Sequence, residues 1–107
     1  MKVVITQDHW DRAKAECSRP DHDRTTTCVL AQAFHDAGEP EATVGYTLAN
    51  LVKGSKVLTA HLSDAAIDVR RNFDNMMRQI NHRMDPVTFP YEVPQLPVEF
   101  ETEFVEA

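Results

Sequence analysis

The sequence contains no long hydrophobic run. No stretch approaches the roughly 18 consecutive apolar residues of a membrane-spanning helix. The apolar run at residues 3–5 is also too short for the hydrophobic region of a signal peptide. We therefore expect a cytoplasmic protein that does not associate with membranes. Cysteine is scarce as well, and we expect Cys17 and Cys28 to be free thiols, although they could pair in principle.

Basic residues are missing from the C-terminal part of the chain. From Pro86 onward there is no Lys or Arg, but five of the 17 acidic residues lie there: Glu92, Glu99, Glu101, Glu103 and Glu106. The remainder carries 11 basic against 12 acidic side chains (17 minus 5). A chain of 107 residues favours one core, so we predict a single domain, residues 1–94, and an acidic tail, residues 95–107. The tail is either a solvated terminus or an arm that docks on a basic partner or mimics nucleic-acid phosphates.

The N-terminal part predicts a strand and two helices. Residues 3–5 are β-branched and predict a strand, after which Thr6 can cap a helix over Gln7–Cys17. The threonines at residues 25–27 offer N-caps for a second helix, which Gly38 ends. The apolar stripe of that helix comprises Val29, Leu30, Ala33, Phe34 and Ala37.

The remaining elements are a hairpin, a long helix and a strand. Two β-rich runs near residues 43–51 and 56–61 predict a hairpin, with Gly45 as a candidate bulge. Ser63 begins an amphipathic helix of about five to six turns that ends before Asp85-Pro86. The apolar positions of this helix are Ala66, Val69, Phe73, Met76 or Met77, Ile80 and Met84. Alternating apolar residues then predict an edge strand at residues 87–93.

These elements occur in the order β-α-(α)-β-β-α-β. The order predicts an α+β fold, a two-layer sandwich with a small, mainly antiparallel sheet. Within the tail, "VEFETEF" places Val98 and Phe100 on one alternating face. That alternation favours a further packed strand over a mobile arm.

Cysteine and histidine provide two candidate sites that we set aside. Cys17, His22, Cys28 and His35, with His9, are zinc-type ligands, but their spacing is irregular and lacks the tight pairs of zinc motifs. A thiol nucleophile with a histidine base would need Cys28 as a thiolate, and no nucleophile elbow, phosphate loop or carboxylate pair completes such a site. We therefore expect no metal and no cofactor, and we rank an enzyme last.

The polar side of the long helix is the candidate binding site. Arg71, Asn75, Arg78 and His82 recur at intervals of four, three and four residues and share one face, beside Arg70. This face is either a solvated surface with internal Arg and Asp pairs or a strip that binds an anion, such as a phosphate group or an acidic protein surface. Direct nucleic-acid binding is not expected, because the domain is not basic and carries no known nucleic-acid motif.

Five short segments resemble, in order, a loose group of short proteins encoded in phage and prophage genomes: "VITQDHW", "CVLAQAF", "VGY", "FD" and "PVTFPYEV". The group has no assigned activity. The resemblance implies an accessory viral protein in the host cytoplasm, and such proteins often inhibit defence systems or sequester signalling nucleotides. We therefore expect a non-enzymatic protein that binds and inhibits or sequesters a host component. The alternative is a nucleotide or small-anion binder that uses the basic helix face, at a homo-oligomer interface because so small a domain offers little concave volume of its own.

Overall fold

The computed structural model describes residues 1–20 and 24–107. Its elements are, in chain order, β1 (Lys2–Ile5), α1 (Gln7–Cys17), α2 (Arg24–Thr27), α3 (Val29–Asp36), β2 (Thr43–Val44), β3 (Leu48–Lys53), β4 (Lys56–His61), α4 (Asp64–His82), β5 (Val98–Glu101) and β6 (Val105–Glu106). The predicted α+β sandwich is confirmed. The strands form two small antiparallel sheets instead of one: β1 pairs with β5, and the other sheet has the order β2-β3-β4-β6.

Helix α1 has the predicted bounds and a cap made by two side chains. Thr6 Oγ1 accepts a hydrogen bond from the backbone N–H of His9, and the Thr6 backbone N–H donates to His9 Nδ1 at 2.9 Å. Histidine here takes the place that Glu or Gln has in the usual capping box. Trp10, Ala13 and Cys17 are buried, which fixes the orientation of the helix on the core.

The predicted second helix is divided in two. The threonines at residues 25–27 belong to α2, and Cys28, not a threonine, is the N-cap residue of α3. Their prediction as N-caps of this helix is therefore wrong. The apolar stripe is confirmed for Val29, Leu30, Ala33 and Phe34, and Gly38 ends the helix region with a φ of +109°. Helix α3 contacts α1, α2, α4, β1 and β2, so it is the central element of the fold.

The predicted strand at residues 43–51 folds back on itself. Gly45 does not mark a bulge in a continuous strand but begins the turn between β2 and β3, which pair as Thr43 with Asn50 and Val44 with Ala49. The backbone N–H of Gly45 donates to the carbonyl of Leu48 at 2.8 Å and closes this turn. The hairpin of β3 and β4 around Gly54 is confirmed.

Helix α4 is confirmed over its predicted length. Ser63 Oγ accepts from the Ala66 backbone N–H at 3.1 Å, and Arg83 ends the helix in the left-handed conformation. The buried residues on its apolar side are Ala66, Val69, Phe73, Met76 and Met77. The continuation of the stripe to Ile80 and Met84 is wrong, because both side chains are exposed. No helix in residues 1–20 and 24–107 combines the length and the apolar character needed to cross a bilayer.

The segment after α4 differs from its prediction. Residues 86–89 form a turn and a bend, and residues 90–95 have no regular secondary structure, so the predicted strand at residues 87–93 is wrong. Its prolines cannot donate hydrogen bonds to a sheet. We call residues 85–97 the proline-rich strap. The acidic segment that follows contributes β5 and β6, which confirms the packed strand that its alternation favoured, and Phe100 is buried in the core.

Candidate functional site

The predicted basic face of α4 is largely occupied by contacts within the chain. Arg71 forms an ion pair with Asp68 one turn earlier. Arg78 Nη1 donates to Asn75 Oδ1 at 2.9 Å, and its guanidinium lies 5.2 Å from the centre of the Phe89 ring. His82 is exposed in the last turn. The structure therefore brings Asn75 and Arg78 together and leaves Arg71 and His82 apart from them.

Amide side chains on α4 bind the backbone of the proline-rich strap. Asn75 Nδ2 donates to the Pro90 carbonyl at 2.9 Å, and Gln79 Nε2 donates to the Phe89 carbonyl at 2.8 Å. A third amide, that of Asn72, accepts from the Glu92 backbone N–H at 2.8 Å. The three amides are spaced by three and four residues, so they lie on one face of the helix and can all contact the strap. The strap therefore runs antiparallel to α4, and hydrogen bonds between helix side chains and the strap backbone hold it there.

Sequence reasoning found Asn75 in this row and missed Asn72 and Gln79. Polar residues on a helix surface normally indicate solvation, so the spacing of the three amides was the only available signal. The strap has no ladder partner over residues 89–92 in the described part of the chain. Because amides both donate and accept, they can satisfy either kind of backbone group that the strap presents.

Asp85 organises the turn by which the chain leaves α4. One carboxylate oxygen accepts from the Val87 backbone N–H at 2.9 Å, and the other accepts from the Thr88 hydroxyl at 3.2 Å. The Asp85 carbonyl also accepts from the Phe89 backbone N–H at 2.9 Å. These bonds reverse the chain within one turn and set the position from which the strap returns along the helix.

The strap exposes apolar side chains although its backbone is fixed. Val87 is 86% exposed and Val93 56% exposed, and Tyr91 is also exposed. Two further apolar residues, Ile80 and Met84, are exposed at the end of the helix that precedes the strap. We call these five residues the apolar end set. Fixed backbone and exposed apolar side chains are together typical of a contact surface, since a solvated loop normally carries polar residues.

Arg70 lies apart from the other predicted site residues. Its Nη1 donates to Asp74 at 2.6 Å, and both side chains are only 12% exposed. Its guanidinium also lies 5.0 Å from the centre of the Tyr46 ring, in the turn between β2 and β3. Arg70 and Asp74 line a cavity together with residues of that turn and of the α2–α3 junction. The residue is therefore placed on the core side of α4, where no exposed strip could include it.

Cys28, His9 and His35 have structural surroundings. Burial raises the pKa of the Cys28 thiol to about 11, so it is protonated at neutral pH and is not a nucleophile. His9 is buried, accepts from Thr6 and lies with Nε2 at 2.7 Å from Asp36, while His35 Nε2 contacts the Ala42 carbonyl at 3.0 Å. Among residues 1–20 and 24–107 no group of three metal-ligand side chains occurs. His22 lies outside the described residues.

The acidic side chains near the C-terminus are partly neutralised within the chain. Glu99 pairs with Lys2 at 3.1 Å, and Glu106 pairs with Lys56 at 3.3 Å. Glu101 lies 3.9 Å from the N-terminal ammonium of Met1. The first two pairs join strands that neighbour each other in the sheets. Exposed ion pairs contribute little to stability, so the backbone pairing of β5 and β6 is what holds the segment.

No protein-family model, curated protein or solved structure matches this chain.

Proposed function

We propose that the protein acts by binding a partner protein, and that the apolar end set and the strap form the contact surface. One observation carries this proposal. Three amides of α4 hold the backbone of the strap at residues 89–92, while Val87 and Val93 extend into solvent. Each such valine in water forgoes the stabilisation that burial of an apolar side chain provides.

Fixing the backbone in advance favours association. A mobile loop loses conformational freedom when a partner immobilises it, and that loss is subtracted from the binding free energy. The hydrogen bonds that Asn75 and Gln79 donate and the one that Asn72 accepts order the strap before any partner arrives. The surface therefore needs little rearrangement to bind.

The composition of the strap indicates the chemistry of the partner. Residues 86–91, "PVTFPY", carry no charged side chain, and the two carboxylates of the strap, Asp85 and Glu92, lie at the ends of this run. A surface of this kind fits an uncharged, apolar depression on another protein, since burying an unpaired charge there would be costly. The resemblance to phage accessory proteins supports a host protein as this partner, and binding would inhibit or sequester it.

Binding to a nucleotide or small anion by the basic face stays an alternative prediction. It would have to compete with the contacts that already engage Arg71 and Arg78, with Asp68 and Phe89 respectively. Catalysis by Cys28 has less support still, because its buried thiol is protonated at neutral pH.

The proposal is tested by a matched pair of double variants. Val87→Ser with Val93→Ser removes apolar surface from the strap. Val52→Ser with Val57→Ser does the same on the exposed side of the β3–β4 hairpin, where the two valines face each other. Each tagged protein is incubated with bacterial lysate, and retained proteins are quantified by mass spectrometry.

We expect a protein retained by the wild type to be retained by the hairpin variant and lost by the strap variant. The purified partner should then bind the strap variant at least about tenfold more weakly in calorimetry, since two apolar contacts of about 1 kcal/mol or more are lost. Equal retention by both variants, equal loss by both, or no specific retention by the wild type would each contradict the proposal.

A further inference from the structure

A small cavity lies where α4, the α2–α3 junction and the β2–β3 turn meet. Its volume is about 160 Å³, close to that of cavities of roughly 150 Å³ that hold benzene in other proteins. The lining residues are Thr25, Cys28, Val44, Gly45, Tyr46, Arg70 and Asp74. The cavity therefore has room for a molecule of about one aromatic ring.

The guanidinium of Arg70 is not saturated by the fold. Only Nη1 has a hydrogen-bond acceptor among the described residues, the Asp74 carboxylate at 2.6 Å. Nε is buried without any partner there. Buried donors are nearly always paired in native proteins, so an unpaired one calls for an explanation, and a bound molecule that is not part of the chain is one.

Tyr46 provides a flat apolar surface next to that guanidinium. Its ring lies 5.0 Å from the guanidinium carbon of Arg70, yet the residue is 70% exposed. A planar molecule in the cavity can pack against the ring and place an oxygen at Arg70 Nη2. The guanidinium nitrogens form a planar fork of donors, and a planar acceptor matches that geometry.

The charges around the cavity favour a neutral ligand. Arg70 forms an ion pair with Asp74 within the same wall, and an anion would meet that carboxylate at close range. Thr25 and Val44 add no charge. This distinguishes the cavity from an anion site, in which the arginine would be free of an acidic neighbour.

We infer that the cavity beside Arg70 binds a small, neutral, planar molecule whose carbonyl oxygen accepts hydrogen bonds from the Arg70 guanidinium. Primary aryl amides and single-ring heterocyclic lactams, including pyrimidine bases, belong to this class. The site is separate from the strap and does not rest on the proposed partner binding.

Three single-ring probes test the inference: benzamide, toluene and benzoate. Each is titrated to millimolar concentration into the ¹⁵N-labelled full chain while backbone amide shifts are recorded. We expect benzamide to shift the amides of residues 28–31 and 44–46 and to bind more tightly than toluene, which has no acceptor, and benzoate, which is charged. This comparison uses the wild type alone and holds even if a variant fails to fold.

The variant Arg70→Met with Asp74→Asn removes the donors without leaving an unpaired carboxylate. It should bind benzamide about tenfold more weakly, as expected for a lost hydrogen bond to a charged group, and toluene as before. Arg71→Met, on the exposed side of α4, is the matched control and should bind both probes like the wild type. The strap variant should also bind benzamide normally, which separates this test from that of partner binding.

Four results would overturn the inference. The first is benzamide binding no tighter than toluene, and the second is benzoate binding tighter than benzamide, which would make the cavity an anion site. The third is unchanged benzamide affinity in the folded Arg70→Met, Asp74→Asn variant. The fourth is a set of shifts confined to residues outside the cavity lining.

Discussion

Replacing Phe34 by alanine should remove a large part of the stability of the fold. Phe34 is fully buried in α3, and its ring meets the rings of Phe100 at 6.0 Å and Phe104 at 5.6 Å, both edge to face. Removing a buried phenylalanine ring costs about 3 to 5 kcal/mol through lost burial and the remaining cavity. Two lost aromatic pairs, each worth about 0.5 to 1.5 kcal/mol, favour the upper half of that range.

Urea denaturation measures this loss directly. With a slope of about 1.5 kcal/mol per molar urea, typical of small domains, a loss of about 4 kcal/mol moves the midpoint down by roughly 2 to 3 M. Phe89→Ala is the matched control, because that ring is partly exposed and its described ring contact is with Arg78. It should cost about 1 kcal/mol, the range of an exposed cation–π contact.

A midpoint shift for Phe34→Ala no larger than that for Phe89→Ala would refute the reasoning. It would mean that the C-terminal strands do not pack on α3 in solution. An altered slope for Phe34→Ala would point the same way, since the surface exposed on unfolding would then differ from that of the wild type.

Three other contacts of the fold can be tested in the same way. Cys28→Ser should change the free energy of unfolding by less than about 1 kcal/mol in urea titrations, because serine is a favourable N-cap residue and can accept hydrogen bonds from the first-turn N–H groups of α3. A loss above about 2 kcal/mol would contradict this. Deleting residues 98–107 should abolish the cooperative thermal transition, and a nearly unchanged melting temperature would show that these strands are dispensable. The hydrogen bond from His9 lowers the pKa of Asp36, so the stabilisation by this carboxylate is present above the unfolded pKa near 3.8 and is lost as pH falls through the lower folded pKa. Asp36→Asn should therefore flatten the acid limb of a curve of unfolding free energy against pH. An acid limb identical to that of the wild type would contradict the role given to Asp36.

Elements with both a start and a stop signal were predictable from the sequence. The helix over Gln7–Cys17 follows a threonine cap, and the helix after Ser63 carries a long apolar stripe. The strand predicted at residues 87–93 shows what alternation misses. Its apolar residues alternate, but its backbone groups bond to helix amides, and nothing local to the segment indicates that choice.

The candidate sites were predictable only in part, for a related reason. Asn75 and Arg78 were correctly placed on one face, yet their partners lie on the strap, whose alternating residues predicted a strand instead. The cavity beside Arg70 joins three segments that are distant in sequence. Periodicity describes one element at a time, so it cannot indicate which side chains of different elements meet.

The pairing of β1 with β5 has a consequence for how the protein is made. Met1 and Thr102 exchange backbone hydrogen bonds although they are 101 positions apart in sequence. During translation β1 leaves the ribosome long before β5 is synthesised. Until then β1 has no partner strand, so this two-stranded sheet cannot form. We expect this part of the nascent chain to stay incompletely folded until β5 emerges, so chaperones and proteases would have access to Val3 and Ile5 until then.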